Sequence, residues 1–327
     1  MHKSVFARFN VALLAWALVF LSVGGVGLTM LDRAGRLPPP PLTATNCIDE
    51  KFKFLHDSAI RDPDLIAVGS SVTWRNLDFS VLERRHGNRV RALNAAPCYL
   101  TVNETAFLTR FYLDNMPSVR VVLSVFAMRD FEGCRGAGAF FDVDEARRYI
   151  VEGKPAWHLY FLNFRPYVFL KDVVRIRDMR TGANVTGPLN MDRFGSGPLF
   201  LTPPEIRSDV WTSPDCFDRL ERMAHEIEER GVKWVVALLP PMPAWLEAYD
   251  PGGARDRTWR ESVAERLRGT QAIVMDGRNG PPVKDRNFSD PAHLHWASVP
   301  TFTSWLVDEM VSEAVLAPGS LGVAHAF

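Results

Sequence analysis

Apolar residues in this chain fall into three kinds of run, and each predicts a different element. The longest is uninterrupted: Val11 to Leu31 is 21 residues without a charge. As a helix rising about 1.5 Å per residue it spans roughly 30 Å, the hydrocarbon thickness of a bilayer. A secretory signal has a shorter apolar region and a small-residue cleavage site, and no clear A-x-A site follows here, so a retained transmembrane anchor is expected. Lys3 and Arg8 precede the run and Arg33 and Arg36 follow it, so the positive-inside rule gives no orientation. A short tail (1–10) before a single span leaves the bulk of the chain outside the cytoplasm. Pro38-Pro39-Pro40-Pro41 reads as a stiff spacer inside a linker over 32–58.

The second kind of run is short and rich in apolar or β-branched residues without helical spacing, as in buried strands. Leu65 to Val68, Arg89 to Asn94, Val119 to Phe126, Lys233 to Leu239 and Gln271 to Met275 are of this kind. The third kind has helical spacing. It predicts helices from Asp78, an N-cap, through Arg85, and over Val102–Asn115, Cys216–Arg230, Arg255–Arg268 and Val299–Leu316, with Pro300 tolerated in the first turn of the last. Strands alternating with helices predict an α/β fold, a three-layer α/β/α open parallel sheet whose functional residues gather at the carboxyl ends of the strands.

The alternation spans 59–130 and 215–320 and fails over 131–214, too long a stretch for a connection, so an inserted subdomain or lid is expected. Within it, Trp157 to Phe169 packs six aromatics into thirteen residues. Local core, a surface against a membrane or membrane partner, and an aromatic wall for a carbohydrate or acyl substrate all fit that pattern. Thr181 to Pro198 reads as a loop or loose hairpin.

Composition narrows the function classes. With 47% hydrophobic residues in 327, the chain can bury a full core. Lys plus Arg and Asp plus Glu balance at 38 each, and no basic stripe is interleaved with aromatics, which argues against nucleic-acid binding. Cys47, Cys98, Cys134 and Cys216 lack zinc-site spacing; two disulfides or buried thiols are both open. Asn103, Asn184 and Asn287 each begin a glycosylation tripeptide. No metal or cofactor is expected.

Two short motifs carry candidate chemistry. Gly69-Ser70-Ser71 follows the first predicted strand, where a tight turn lifts a hydroxyl above the sheet edge. Asp290-Pro-Ala-His293 precedes the closing helix, with His295 as a rival base of less suitable spacing. A serine hydroxyl needs a base to become a nucleophile, and the base needs a group that fixes its tautomer. His293 and Asp290 supply both.

In this order, the two motifs resemble the first and last blocks of the SGNH (GDSL-like) hydrolase superfamily. The Gly-Ser-Ser form, the N-terminal anchor and Asp290-Pro-Ala-His-Leu294 are most similar to its membrane-anchored branch, related to alginate O-acetylation proteins and the D-alanyl transfer protein of teichoic acid synthesis. The resemblance implies Ser71 as nucleophile, His293 as base and Asp290 as its orienting carboxylate. The family's second-block glycine is missing from Asn94-Ala-Ala-Pro-Cys-Tyr99, where Tyr99 is the best match for the oxyanion donor. Its third-block Asn is replaced within Phe126-Ala-Met-Arg129-Asp130, where Arg129 could stabilise charge. Arg75 is a further candidate for oxyanion or substrate contact.

The implied function is that of an extracytoplasmic (periplasmic), membrane-anchored serine acyltransferase or esterase. Its substrate would be a cell-envelope glycan, and a multi-span membrane protein would supply the acyl donor. The alternative is a catalytically inactive relative that binds glycan or scaffolds an envelope complex.

Overall fold

The computed structural model describes residues 2–136, 138–182, 187–206 and 209–317. α1 (His2–Arg33) contains a stretch, Phe6–Arg33, that is the one helix among the described residues long and apolar enough to cross a membrane. Most of its side chains face outward, so its apolar surface is not part of a protein core.

Five strands follow: β1 (Leu65–Ala67), β2 (Ala92–Asn94), β3 (Val121–Phe126), β4 (Lys233–Leu238) and β5 (Ile273–Asp276). They form one parallel sheet in the order β2-β1-β3-β4-β5. β1 and β3 are buried at every residue, which is why their sequences show no apolar-polar alternation. Register aligns Ala67 with Asn94 on one side and Leu123 on the other, so the chain leaves β1 at the carboxyl edge between two neighbours.

The helices between them are α3 (Ser71–Arg75), α4 (Phe79–His86), α5 (Val102–Asn115), α9 (Pro214–Glu228), α10 (Pro243–Tyr249), α11 (Ala254–Leu267) and α12 (Val299–Ser312). α9 packs against both α5 and α11, and α12 packs against α4. Asp78 caps α4 by accepting from the Ser80 N–H at 2.9 Å, as its sequence position predicts. Between β5 and α12 the chain makes a small antiparallel hairpin, β6 (Phe288–Asp290) and β7 (His293–Leu294).

Residues 131–214 hold α6 (Val143–Ala146), α7 (Leu159–Leu162), α8 (Pro166–Thr181) and an extended return. The two ends of this segment meet: Cys134 is bonded to Cys216, and the Ser213 N–H donates to the Phe131 carbonyl at 2.8 Å. The other disulfide joins Cys47 to Cys98.

The linker expected over 32–58 is not one. α2 (Asn46–Asp57) buries Ile48, Phe52 and Leu55, an i, i+4, i+7 stripe masked in the sequence by the charges between them. Nor does the proline run stand off as a spacer: Pro38, Pro39 and Pro40 are buried, and the Tyr160 hydroxyl donates to the Pro38 carbonyl at 2.6 Å. At two of the glycosylation tripeptides the asparagine side chain is hydrogen-bonded within the fold. The Asn103 amide is turned inward onto the Gly136 carbonyl at 2.8 Å, and Asn287 bonds Ser298 and the Lys284 N–H. Asn184 lies outside the described residues.

Candidate active site

The turn after β1 is built by two small residues with different jobs. A Cβ on Gly69 would lie 2.0 Å from Thr73 Oγ1, so only glycine lets the α3 turn fold back so closely. Thr73 is fixed from beneath: its hydroxyl donates to the Val125 carbonyl at 2.9 Å and accepts from the Val125 N–H at 3.0 Å. Ser70 is the N-cap of α3, its Oγ accepting from the Val72 N–H at 3.1 Å while donating to Asp130 at 2.5 Å. With Ser70 occupied, Ser71 opens the helix and is the serine left to face the cleft. Sequence spacing gave no sign of this five-residue helix, because it lies between two tight turns.

The hairpin of β6 and β7 explains the Asp-x-x-His spacing. Asp290 and His293 are cross-strand partners on either side of the Pro291-Ala292 turn. The Asp290 carboxylate accepts from the Ala292 N–H at 2.9 Å and lies 2.9 Å by both oxygens from His293 Nδ1. His293 Nε2 lies 2.9 Å from Ser71 Oγ. A proton on Nδ1 directed at the carboxylate leaves the Nε2 lone pair to receive the serine hydroxyl. Asp290 is fully buried and His293 6% exposed. The rival His295 turns elsewhere, its Nδ1 accepting from the Ala297 N–H at 3.3 Å and its ring against Phe200.

Asn76, missed in the sequence, joins the two halves of the site. Fully buried at the end of α3, it donates to the Ala292 carbonyl at 2.9 Å and accepts from the Leu294 N–H at 2.7 Å. It therefore brackets His293 from both sides. An Asn five residues after a candidate nucleophile is the sequence signal that could have found it.

Ser71, Arg75, Tyr99, Arg129, Asp290 and His293 all line one cleft of about 920 Å³. Tyr99 holds φ at +61°, the left-handed region that glycine adopts without cost and a tyrosine adopts at about 1–2 kcal/mol. The residue is 79% exposed, and its N–H has no partner among the described residues. Arg129 is half-buried at the start of the turn after β3 and makes no ion pair among the described residues. Its neighbour Asp130 is turned away from solvent, accepting from Ser70 and from the Ala127 N–H at 2.8 Å, and burial pushes its carboxyl up to about 7.

Arg75 is not the surface residue its position before a helix suggests. It is 6% exposed, stacks on the Trp74 ring at 4.1 Å, and donates to the carbonyls of Gly197 and Pro188 at 3.3 and 2.6 Å. It thereby pins the extended return of the inserted segment to the site. Burial pulls it down to about 10, opposed by the Asp290 charge. Also near the Trp74 ring, 5.1 Å from its centroid, is the amine of Lys51, a residue missed in the sequence, which donates to the Asn94 and Gly195 carbonyls at 3.0 and 2.5 Å. The close approach needs Gly195 (φ +90°), since a Cβ there would meet the Asn94 carbonyl at 2.4 Å.

Chemically, the arrangement pairs a hydroxyl with an imidazole whose far nitrogen is fixed by a buried carboxylate, beside the Tyr99 N–H and two guanidinium groups. No group of three or more metal-ligating side chains occurs among the described residues. No family model matches the chain, and no curated protein matches it.

Proposed function

We propose that the chain is a membrane-anchored serine acyltransferase or esterase of the SGNH type, acting outside the cytoplasm on a cell-envelope glycan. The observation that carries this reading is the unbroken contact from Asp290 through His293 to Ser71, at 2.9 Å in each link. The parallel order of the five strands, with Ser71 at the carboxyl end of β1, agrees with the three-layer frame of that superfamily. In this reading α5, α9 and α11 form one outer layer, and α4 and α12 the other. The apolar helix α1 supports the anchor. The two disulfides suit an oxidising compartment.

In the proposed reaction Ser71 Oγ attacks the carbonyl carbon of an acyl ester while His293 Nε2 takes its proton. The negative charge on the carbonyl oxygen is met by the Tyr99 N–H and by Arg129. Collapse of the tetrahedral intermediate breaks the ester bond, and the donor's alkoxide leaves with the proton from His293. A glycan hydroxyl then attacks the acyl-serine, giving its proton to His293, and the new ester departs as Ser71 regains that proton. Water in place of the glycan makes the reaction hydrolysis. Transfer is favoured by the resemblance alone.

Fluorophosphonate labelling of the full chain in detergent tests the reading. Wild type is expected to label covalently at Ser71, Ser71→Ala not at all, and His293→Ala slower by about 10³-fold or more. Wild type labelling no faster than Ser71→Ala would rule the enzyme out in favour of an inactive glycan-binding or scaffolding relative.

A further inference from the structure

The inserted helices lie beside the C-terminal end of α1. A Cβ on Gly24 would come within 3.0 Å of the Phe161 ring, and Leu28 and Leu37 are buried together with Tyr160. The same helices turn large apolar side chains outward. Outside α1, eight of the fourteen exposed large hydrophobics among the described residues fall between Trp157 and Val174. A cluster that dense marks a surface with an occupant. Tyr167, Leu170 and Val174, 79%, 63% and 66% exposed, are spaced three and four residues apart and so share one face of α8. Leu162 and Phe164, just before α8, are also exposed, at 75% and 54%.

Height along α1 selects the occupant. Gly24 precedes Arg33 by nine residues, about 14 Å of helix, so the Phe161 ring stands level with the last apolar turns of α1. If those turns are in lipid, the side chains packed on them are at the lipid boundary. The segment that carries the patch packs on α1 through Phe161 and Tyr160, and α1 itself exposes Val26 and Met30 along the same stretch. The polar-tipped aromatics Trp157 and Tyr167, with Arg165, Lys171 and Arg177 exposed nearby, suit the headgroup region.

We propose that α7 and α8 form a second membrane contact, seated in the headgroup and acyl boundary of the leaflet into which the C-terminal end of α1 runs. Such seating buries an apolar face by about 5–10 Å. Because α8 also lends Arg175, Met179 and Thr181 to the cleft, it fixes the cleft's height above the leaflet, within reach of an amphiphilic acyl donor held at the membrane surface.

The inference rests on α1 crossing the bilayer, and the test separates the two claims. All four cysteines are paired, so single cysteines can be placed at Leu162, at Leu170, at Leu18 in α1, and at Glu265 in α11 beside β5. Each full-length variant carries an environment-sensitive dye and is reconstituted at one chain per lipid nanodisc of phosphatidylcholine and phosphatidylglycerol with nitroxide-bearing lipids.

Dyes at 162, 170 and 18 are expected to lose most of their emission and the dye at 265 almost none. Quenching at 18 but not at 162 and 170 overturns this inference and leaves the anchor standing; no quenching at 18 sinks the anchor reading itself. Shielding at 162 and 170 only in discs loaded with two chains assigns the face to a second copy and likewise overturns it. Adding Leu162→Glu with Leu170→Glu should abolish quenching of a dye at Tyr167→Cys. Unchanged fluorophosphonate labelling in detergent would show that fold to be intact.

Discussion

Asp130 sits one residue from a candidate charge donor and one hydrogen bond from the serine preceding Ser71, so its ionisation bears on the site. Burial pushes its carboxyl from 3.8 to about 7. Between those values the folded chain holds a proton that the unfolded chain has released, so the stability this group contributes falls as the pH rises through that window. Asp130→Asn keeps a neutral group in place at every pH. Its stability should therefore gain on wild type between about pH 4 and about pH 8, by about 1.4 kcal/mol for each pH step inside the window. Denaturant titrations of both proteins at the two pH values measure this, and a pH-independent difference would contradict it. The pair Arg129-Asp130 also marks a limit of the sequence. Both residues stand where the SGNH resemblance leads one to expect an Asn donor, and only the path of the turn after β3 decides that the arginine faces the cleft and the aspartate faces Ser70. Tyr99 is a candidate donor on the resemblance alone; its φ of +61° is the backbone that a glycine adopts without cost.

At the scale of elements, what was readable depended on what each element packs against. β1 and β3 are buried on both faces, and their sequences state this outright; α5 and α9 carry clear stripes. α2 was hidden behind a proline run, and its acidic and basic residues are paired or buried rather than solvated, as Lys51 and the Glu50–Arg180 ion pair show. The β6 and β7 hairpin is too short to have a period, so Asp-x-x-His was legible as a motif but not as a pair of cross-strand neighbours. Asn76 makes that hairpin depend on α3. Asn76→Ala would leave the Leu294 N–H and the Ala292 carbonyl buried without these partners, at about 1–3 kcal/mol for each group. Fluorophosphonate labelling, measured where the variant is still folded, should drop by more than tenfold, since a misplacement of about 1 Å at a catalytic group can cost about 10²-fold. Labelling at the wild-type rate would mean that the hairpin holds His293 without help.

The whole molecule is closed by three devices that join distant parts of the chain: Cys134–Cys216 at the base of the insertion, Cys47–Cys98 between α2 and the residue before Tyr99, and Arg75 on the returning segment. None of these pairings could be chosen from sequence, because each joins surfaces that only the folded sheet brings together. Cys47 and Cys98 are separated by 51 residues, a loop whose closure is worth roughly 4 kcal/mol in the unfolded chain. Replacing both by serine should lower stability by roughly that amount in a denaturant titration. It should also slow fluorophosphonate labelling, because Tyr99 loses its covalent neighbour. Unaltered labelling would separate the disulfide from the oxyanion position.

The parallel sheet has a consequence in time as well as in space. Every one of its strands ends by Asp276, and Ser71 with its glycine turn comes directly after the first of them. His293 and Asp290 follow only after the last strand. In the proposed mechanism, a nascent chain emerging from its N-terminal end can thus assemble the sheet and present the serine while still lacking His293, the base assigned to it. On that reading reactivity switches on last, once the closing hairpin reaches Asn76.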